Sequence, residues 1–248
     1  MRAEIAVEIC IDASDPHNAE SALLAAWKGG ADRVEVCAAM DVGGVTPDRQ
    51  RIRTARSIFV DRPGVVCMIR PRGGDFFYSP AEIDAMSAHI EGAAEAGANG
   101  VALGALQPSD SSLDVEAMRH LTDRARALGL AVTLHRAFDA TPNRAAALET
   151  AIELGVQRVL SSGTPWGSDD GALTGLSVLE QLCAQASGRL ELIAAGRICP
   201  QSAQPIARAL GASTTPLSLH AFSGACAQGA TSAALVDAIK TAANRDRP

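Results

Sequence analysis

Aromatic residues are scarce in this 248-residue chain: five Phe, two Trp and one Tyr, 3% of the total. A surface that stacks nucleic-acid bases needs more rings than that. A basic patch is missing too. Lys and Arg number 22 against 28 Asp and Glu, a net charge of -6, so the electrostatic footprint of a nucleic-acid binder is absent. No apolar run approaches the roughly 20 residues that cross a bilayer. Near the start, Glu4, Glu8 and Asp12 interrupt the apolar core that a signal peptide requires, and the stretch reads as mature, cytosolic protein. The six cysteines include no CxxC pair, so in a reducing cytosol they are expected as thiols. Without CxxC or HxxxH spacing, zinc is disfavoured. GxGxxG and GxSxG are also missing, which argues against a dinucleotide fold and a serine nucleophile elbow.

What the chain does have is a recurring phrase. Gly30-Ala31-Asp32-Arg33-Val34-Glu35-Val36 resembles Gly97-Ala98-Asn99-Gly100-Val101-Ala102-Leu103, and Gly155-Val156-Gln157-Arg158-Val159-Leu160 follows the same plan. Gly211-Ala212 begins a fourth copy. Each glycine ends an Ala-rich helical stretch and opens a short β-branched run, as at the αβ junctions of parallel folds. Eight strands are expected near 5–11, 33–37, 64–70, 100–104, 130–135, 157–161, 190–195 and 215–220. Helices are expected over 15–28, 80–96, 115–128, 144–154, 172–185 and 232–243, with starts signalled at Ser79-Pro80 and Thr46-Pro47. Eight βα units in about 250 residues match one α/β domain over 1–248, a (β/α)8 TIM barrel. A doubly wound sheet needs fewer strands and is the runner-up.

Strand residues alternate between faces. If the aliphatic faces meet the helices, the barrel interior receives Glu8, Cys10, Glu35, Cys37, Met68, Arg70, Thr133, His135, Ser218 and His220. That set is more polar than the aliphatic layers of a plain barrel core. Burying ionisable groups is costly unless they are paired. They form either a mutually satisfied core network or a site at the C-terminal strand ends.

Several segments carry a family resemblance. They are Glu8-Ile9-Cys10, Gly30–Cys37, Gly43-Gly44-Val45-Thr46-Pro47, Met68-Ile69-Arg70-Pro71-Arg72-Gly73-Gly74-Asp75-Phe76 and His135-Arg136-Ala137-Phe138-Asp139. Together they resemble the CutC family of copper homeostasis proteins, over essentially the whole chain. The resemblance implies a TIM-like barrel, a cytoplasmic location, a homo-oligomer (dimer or tetramer) and a link to copper. Two positions depart from the family pattern. The turn after strand 7 is Ala194-Ala195-Gly196-Arg197-Ile198 rather than Gly-rich, and Ser218 stands where the family has Glu. The stretch 164–174, with Trp166, looks variable.

Two chemistries follow. Cys10 and Cys37 end neighbouring strands on one inferred face, and parallel neighbours lie about 4.8 Å apart. Thiolates favour Cu(I), and Met68 offers a third sulfur. The alternative is that both cysteines are small buried core residues. For an enzyme, the acid and base candidates are Glu8, Glu35, Asp75, His135, Asp139 and His220. Arg70, Arg72, Arg136 and Ser162 are the substrate-binding candidates, suited to a small anionic or sugar-like substrate. Glu8 with Glu35 also suits a hard divalent cation. The expected partners are a small ligand or a metal ion, with no nucleic acid and no membrane. A scaffold without a ligand ranks below both readings.

Overall fold

Eight parallel strands close into a barrel in sequence order. They are β1 (Ala6–Asp12), β2 (Arg33–Cys37), β3 (Val65–Met68), β4 (Gly100–Leu103), β5 (Ala131–Leu134), β6 (Arg158–Ser161), β7 (Glu191–Ala195) and β8 (Leu217–Ala221). Eight helices surround them: α1 (Pro16–Lys28), α2 (Arg49–Ile58), α3 (Pro80–Glu95), α4 (Val115–Ala127), α5 (Arg144–Glu153), α6 (Leu176–Ala186), α7 (Pro200–Leu210) and α8 (Ala233–Asn244). The computed structural model describes residues 4–62 and 64–245. Among them no helix is long and apolar enough to cross a membrane. The architecture is the (β/α)8 barrel expected from the strand spacing.

Local chemistry explains where the elements begin and end. Ser79 and Glu82 form a capping box, with Pro80 in the first turn of α3; each satisfies a backbone donor that the helix leaves free. The recurring glycines close helices as expected, with Gly30, Gly97 and Gly155 at φ of 81°, 90° and 74°. Gly211 differs: it caps α7 at φ -70°, a right-handed conformation that does not require glycine. The helix signalled at Thr46-Pro47 starts two residues later. Asp48 is its cap and accepts from Arg51 N, because the Thr46 hydroxyl is occupied by the Arg70 backbone N–H at 2.9 Å. The same bond ends β3 before Arg70, short of the expected 64–70. Helix α7, with Pro205 in its interior, was not among the expected helices. A buried-face pattern interrupted by proline reads poorly as a helix.

The alternation places residues as inferred. Val7, Ile9, Ile11, Val34 and Val36 pack in the large apolar core between sheet and helices. Cys10, Cys37 and Met68 form a separate cluster inside the barrel. The polar interior is stratified. Towards the N-terminal ends, Arg33 Nε donates to Glu8 at 2.9 Å, and its Nη2 donates to Glu191 and to the Ser218 hydroxyl, each at 2.6 Å. Ser218 in turn donates to Glu191, so the Ser218 departure falls within a closed network. Arg158 donates to Thr133 at 3.0 Å in the same region.

Candidate functional site

A cavity of about 240 Å³ opens at the C-terminal ends of the strands, the end of a barrel where active sites are built. Strand ends supply Cys10, Glu35, Cys37, Met68, Arg70, His135 and His220; the loops supply Met40, Gly43, Phe76, Arg136, Trp166 and Arg197. The turns after β7 and β8 close the remaining side with Gly196, Ile198, Phe222, Ser223 and Gly224.

One wall is sulfur-rich. Cys10 Sγ lies 3.8 Å from Cys37 Sγ and 3.7 Å from Met40 Sδ. Strand register pairs Cys10 with Glu35 and Asp12 with Cys37, so the two cysteines are diagonal neighbours. A strand spacing of about 4.8 Å and a rise of about 3.3 Å per residue put their Cα atoms roughly 8 Å apart. That exceeds the ~7 Å limit for a disulfide without backbone movement, and both cysteines are free. Beside it, His220 Nε2 is 2.8 Å from Glu35 and 3.8 Å from Glu8. Burial alone would lower the His220 pKa. Hydrogen bonds to Cys10 and Glu35, with the charges of Glu35 and Glu8, outweigh it and raise the pKa well above its ordinary value. The Cys10 pKa is lowered, first by its hydrogen bond to Cys37 and further by His220, against burial. The Cys37 pKa is pushed well up by the same sulfur contact and by burial. Of the two, Cys10 is the more readily ionised. Cys10, Glu35 and His220 each present a ligand atom within 4.8 Å of the other two, a group that could hold a metal.

Arg70 and His135 build a further part of the wall. Arg70 is 1% exposed. Its guanidinium donates to the carbonyls of Val42 at 3.1 Å, Gly44 at 3.0 Å and Gly74 at 2.6 Å. The Gly43-Gly44 turn exists for this contact. Both residues have positive φ, and a Cβ on Gly43 would stand 3.1 Å from Arg70 Nη1. His135 is 3% exposed, and its Nδ1 accepts from Ala137 N at 3.2 Å. Burial and the Arg70 charge lower its pKa to about 3, so the ring is neutral at ordinary pH. Phe76 lies 5.2 Å from the His135 ring and 5.1 Å from Trp166, and the Arg70 guanidinium sits 4.9 Å from its centroid. Arg136 stacks over Trp166 at 5.6 Å.

Of the residues singled out in the sequence, Cys10, Glu35, Cys37, Met68, Arg70, His135, Arg136 and His220 meet at this cavity. The others lie elsewhere. Glu8 is held by Arg33 below the floor; the acidic ligand beside His220 at the cavity is Glu35. Arg72 turns outward and pairs with Glu82 at 2.6 Å and Asp75 at 2.9 Å. Asp75 also caps the loop through Phe77 N at 3.1 Å. Asp139 is buried behind the wall. It accepts from Arg136, from the Ser161 hydroxyl at 2.5 Å and from Ser162 N at 2.9 Å. Ser162 bonds Asp139, Arg136 and Thr164, so the pair positions Arg136. Sequence reasoning missed Met40 and gave Trp166 no role. Met40 stands three residues beyond Cys37, a sulfur on a turn with no periodicity to mark it.

Fold and cavity define the class: a (β/α)8 barrel with a soft-ligand wall at its mouth. The CutC family model matches residues 5–221, and the chain belongs to the CutC family. A CutC family protein from Sinorhizobium medicae (strain WSM419) is 42% identical over 202 residues, 80% of this chain and 75% of the relative. A human protein described as a copper homeostasis protein cutC homolog is 41% identical over 206 residues, 83% and 70% of the two chains. The crystal structure of a CutC protein from Streptococcus agalactiae superposes with a TM-score of 0.75 at 26% identity, covering 87% of this chain and 98% of that one.

Proposed function

We propose that this chain serves copper homeostasis by binding Cu(I) through the thiolates of Cys10 and Cys37 at the floor of the mouth cavity. The observation that carries the reading is the sulfur cluster, with Cys10 Sγ 3.8 Å from Cys37 and 3.7 Å from Met40. A metal–thiolate bond is about 2.3 Å long, taking zinc as the guide. Two sulfurs sharing an ion therefore stand at most about 4.6 Å apart, and this pair needs little movement. Thioethers and thiolates are the soft donors that select Cu(I) over harder ions. Met68 packs in the same cluster. Metal binding displaces the thiol protons, so uptake rises with pH. Anaerobic titration with Cu(I) tests this. Wild type should take up one equivalent, and the Cys10→Ser/Cys37→Ser variant should not; equal uptake by both refutes the thiolate site. The same reading carries a cytoplasmic location and a homo-oligomer, dimer or tetramer.

A second reading is a barrel enzyme acting on a small anionic or sugar-like substrate. It is favoured by Glu35 holding His220 at 2.8 Å beside Cys10, a proton donor and acceptor placed on the cavity wall. A Cu(I) carrier has no evident use for the Arg70 and Arg136 cations that line the same cavity. A thermal-shift screen of phosphorylated and carboxylated sugars, followed by turnover assays of any hit, tests it. No hit across the screen counts against it.

A further inference from the structure

A donor and a cation on the cavity wall lack a protein counterpart. His135 Nε2 is buried without a hydrogen-bond partner among the described residues, and Arg70, with the Tyr78 hydroxyl beside it, has no carboxylate among them. The Arg70 and His135 side chains line the cavity, and they are 1% and 3% exposed. Buried polar groups are nearly always satisfied, and an orphan calls for a cause.

The His135 tautomer is fixed by its surroundings. Its Nδ1 accepts from Ala137 N, so the proton of the neutral ring sits on Nε2, which donates. The Nδ1 edge packs towards Gly104, where an added Cβ would stand 2.9 Å from Nδ1 and Cε1. The Nε2 edge lies on the far side of the ring. Arg70 brings a cation. Its neighbours are neutral, three carbonyls and the Tyr78 hydroxyl, and it forms none of the ion pairs found among the described residues, whereas Arg33, Arg72 and Arg136 each hold a carboxylate. A buried cation without a counter-charge is costly. Phe76 contacts both groups and joins Trp166 to give an apolar ledge beside them.

We propose that the Arg70–His135 corner of the cavity binds the oxyanion of a small carboxylate or phosphate ligand. His135 Nε2–H donates to its oxygens, Arg70 supplies the counter-charge, and the rest of the ligand lies on Phe76 and Trp166. The corner adjoins the sulfur wall through Gly44 but uses none of its sulfurs and needs no copper. It gives the barrel-enzyme reading its substrate class, but it concerns binding and is measured without turnover, so either can fail alone.

The test is isothermal calorimetry of the intact protein with inorganic phosphate in one arm and pyruvate in the other. Binding of phosphate or pyruvate supports the corner, and the tighter arm tells phosphate from carboxylate ligands. The His135→Phe variant should weaken the preferred probe about tenfold or more. The Arg72→Ala variant, altered outside the cavity, should leave it unchanged. If His135→Phe does not fold, 15N NMR of the wild-type imidazoles takes its place, and the His135 Nε2 signal should move as the probe is added. The proposal is overturned if neither probe binds, if His135→Phe binds as tightly as wild type, or if that signal stays still.

Discussion

Glu8 and Arg70 are each 1% exposed inside the same barrel, yet they are treated differently. Glu8 lies in the lower layer and meets Arg33 at 2.9 Å; Arg33 also holds Glu191, and Ser218 closes the set. Arg70 lies at the mouth, donates to backbone carbonyls and holds no carboxylate among the described residues. The mouth keeps further chemistry in reserve: a sulfur pair, an unpaired His135 Nε2, and a Glu35–His220 pair on the wall. Polar residues in a barrel interior are therefore no sign of function by themselves. The closed lower network is structural. The mouth leaves His135 Nε2 without an acceptor and Arg70 without a carboxylate among the described residues, which is the ground of the ligand proposal.

The largest expected effect comes from breaking the lower layer. Arg33→Ala removes the main partner of the buried Glu8 and of the half-buried Glu191, and removing one partner of such a network costs about 3–5 kcal/mol. Urea denaturation measures it, and a loss under about 1 kcal/mol would erase the distinction between the layers. Next is His135. Its folded pKa near 3 lies below the ordinary 6.5, so the unfolded chain binds its proton first as pH falls. Wild type thus loses about 1.4 kcal/mol per pH unit below about 6.5 on this account. His135→Phe lacks that slope, and relative to wild type it should gain roughly 3 kcal/mol between about pH 6.5 and pH 4. Parallel stability curves would show that His135 is not held neutral.

Removing both thiols should lower Cu(I) affinity about 100-fold or more, beyond the 10–100-fold typical of outer-shell changes. An unchanged anaerobic competition curve would move copper away from the sulfur wall. The smallest effect is expected at Arg72→Ala. Its partners Glu82 and Asp75 are partly exposed, and such pairs contribute about 0–1 kcal/mol. A larger loss in thermal unfolding would mean that the loop after β3 depends on that pair more than its exposure implies.

The strand positions were legible in the sequence because β-branched runs follow helix-ending glycines at a regular spacing. The inward face was legible too, since alternation assigns a side of the sheet. Depth was not. Glu8 and Glu35 share the inward face, but register pairs Glu8 with Arg33, one layer below the Cys10–Glu35 step. Alternation carries no information on that height. Arg72 and Asp75, site candidates by sequence, lie outside the cavity. The α3 capping box draws Arg72 outward through Glu82, a tertiary contact that loop composition does not encode. Met40 and Trp166 come from turns without periodicity, and only closure of the barrel brings them to the cavity.

The copper claim is tested most directly by X-ray absorption at the copper edge of Cu(I)-loaded protein. The account predicts a first shell of sulfur in the wild type, lost in Cys10→Ser/Cys37→Ser. A first shell of only nitrogen and oxygen in the wild type would contradict it.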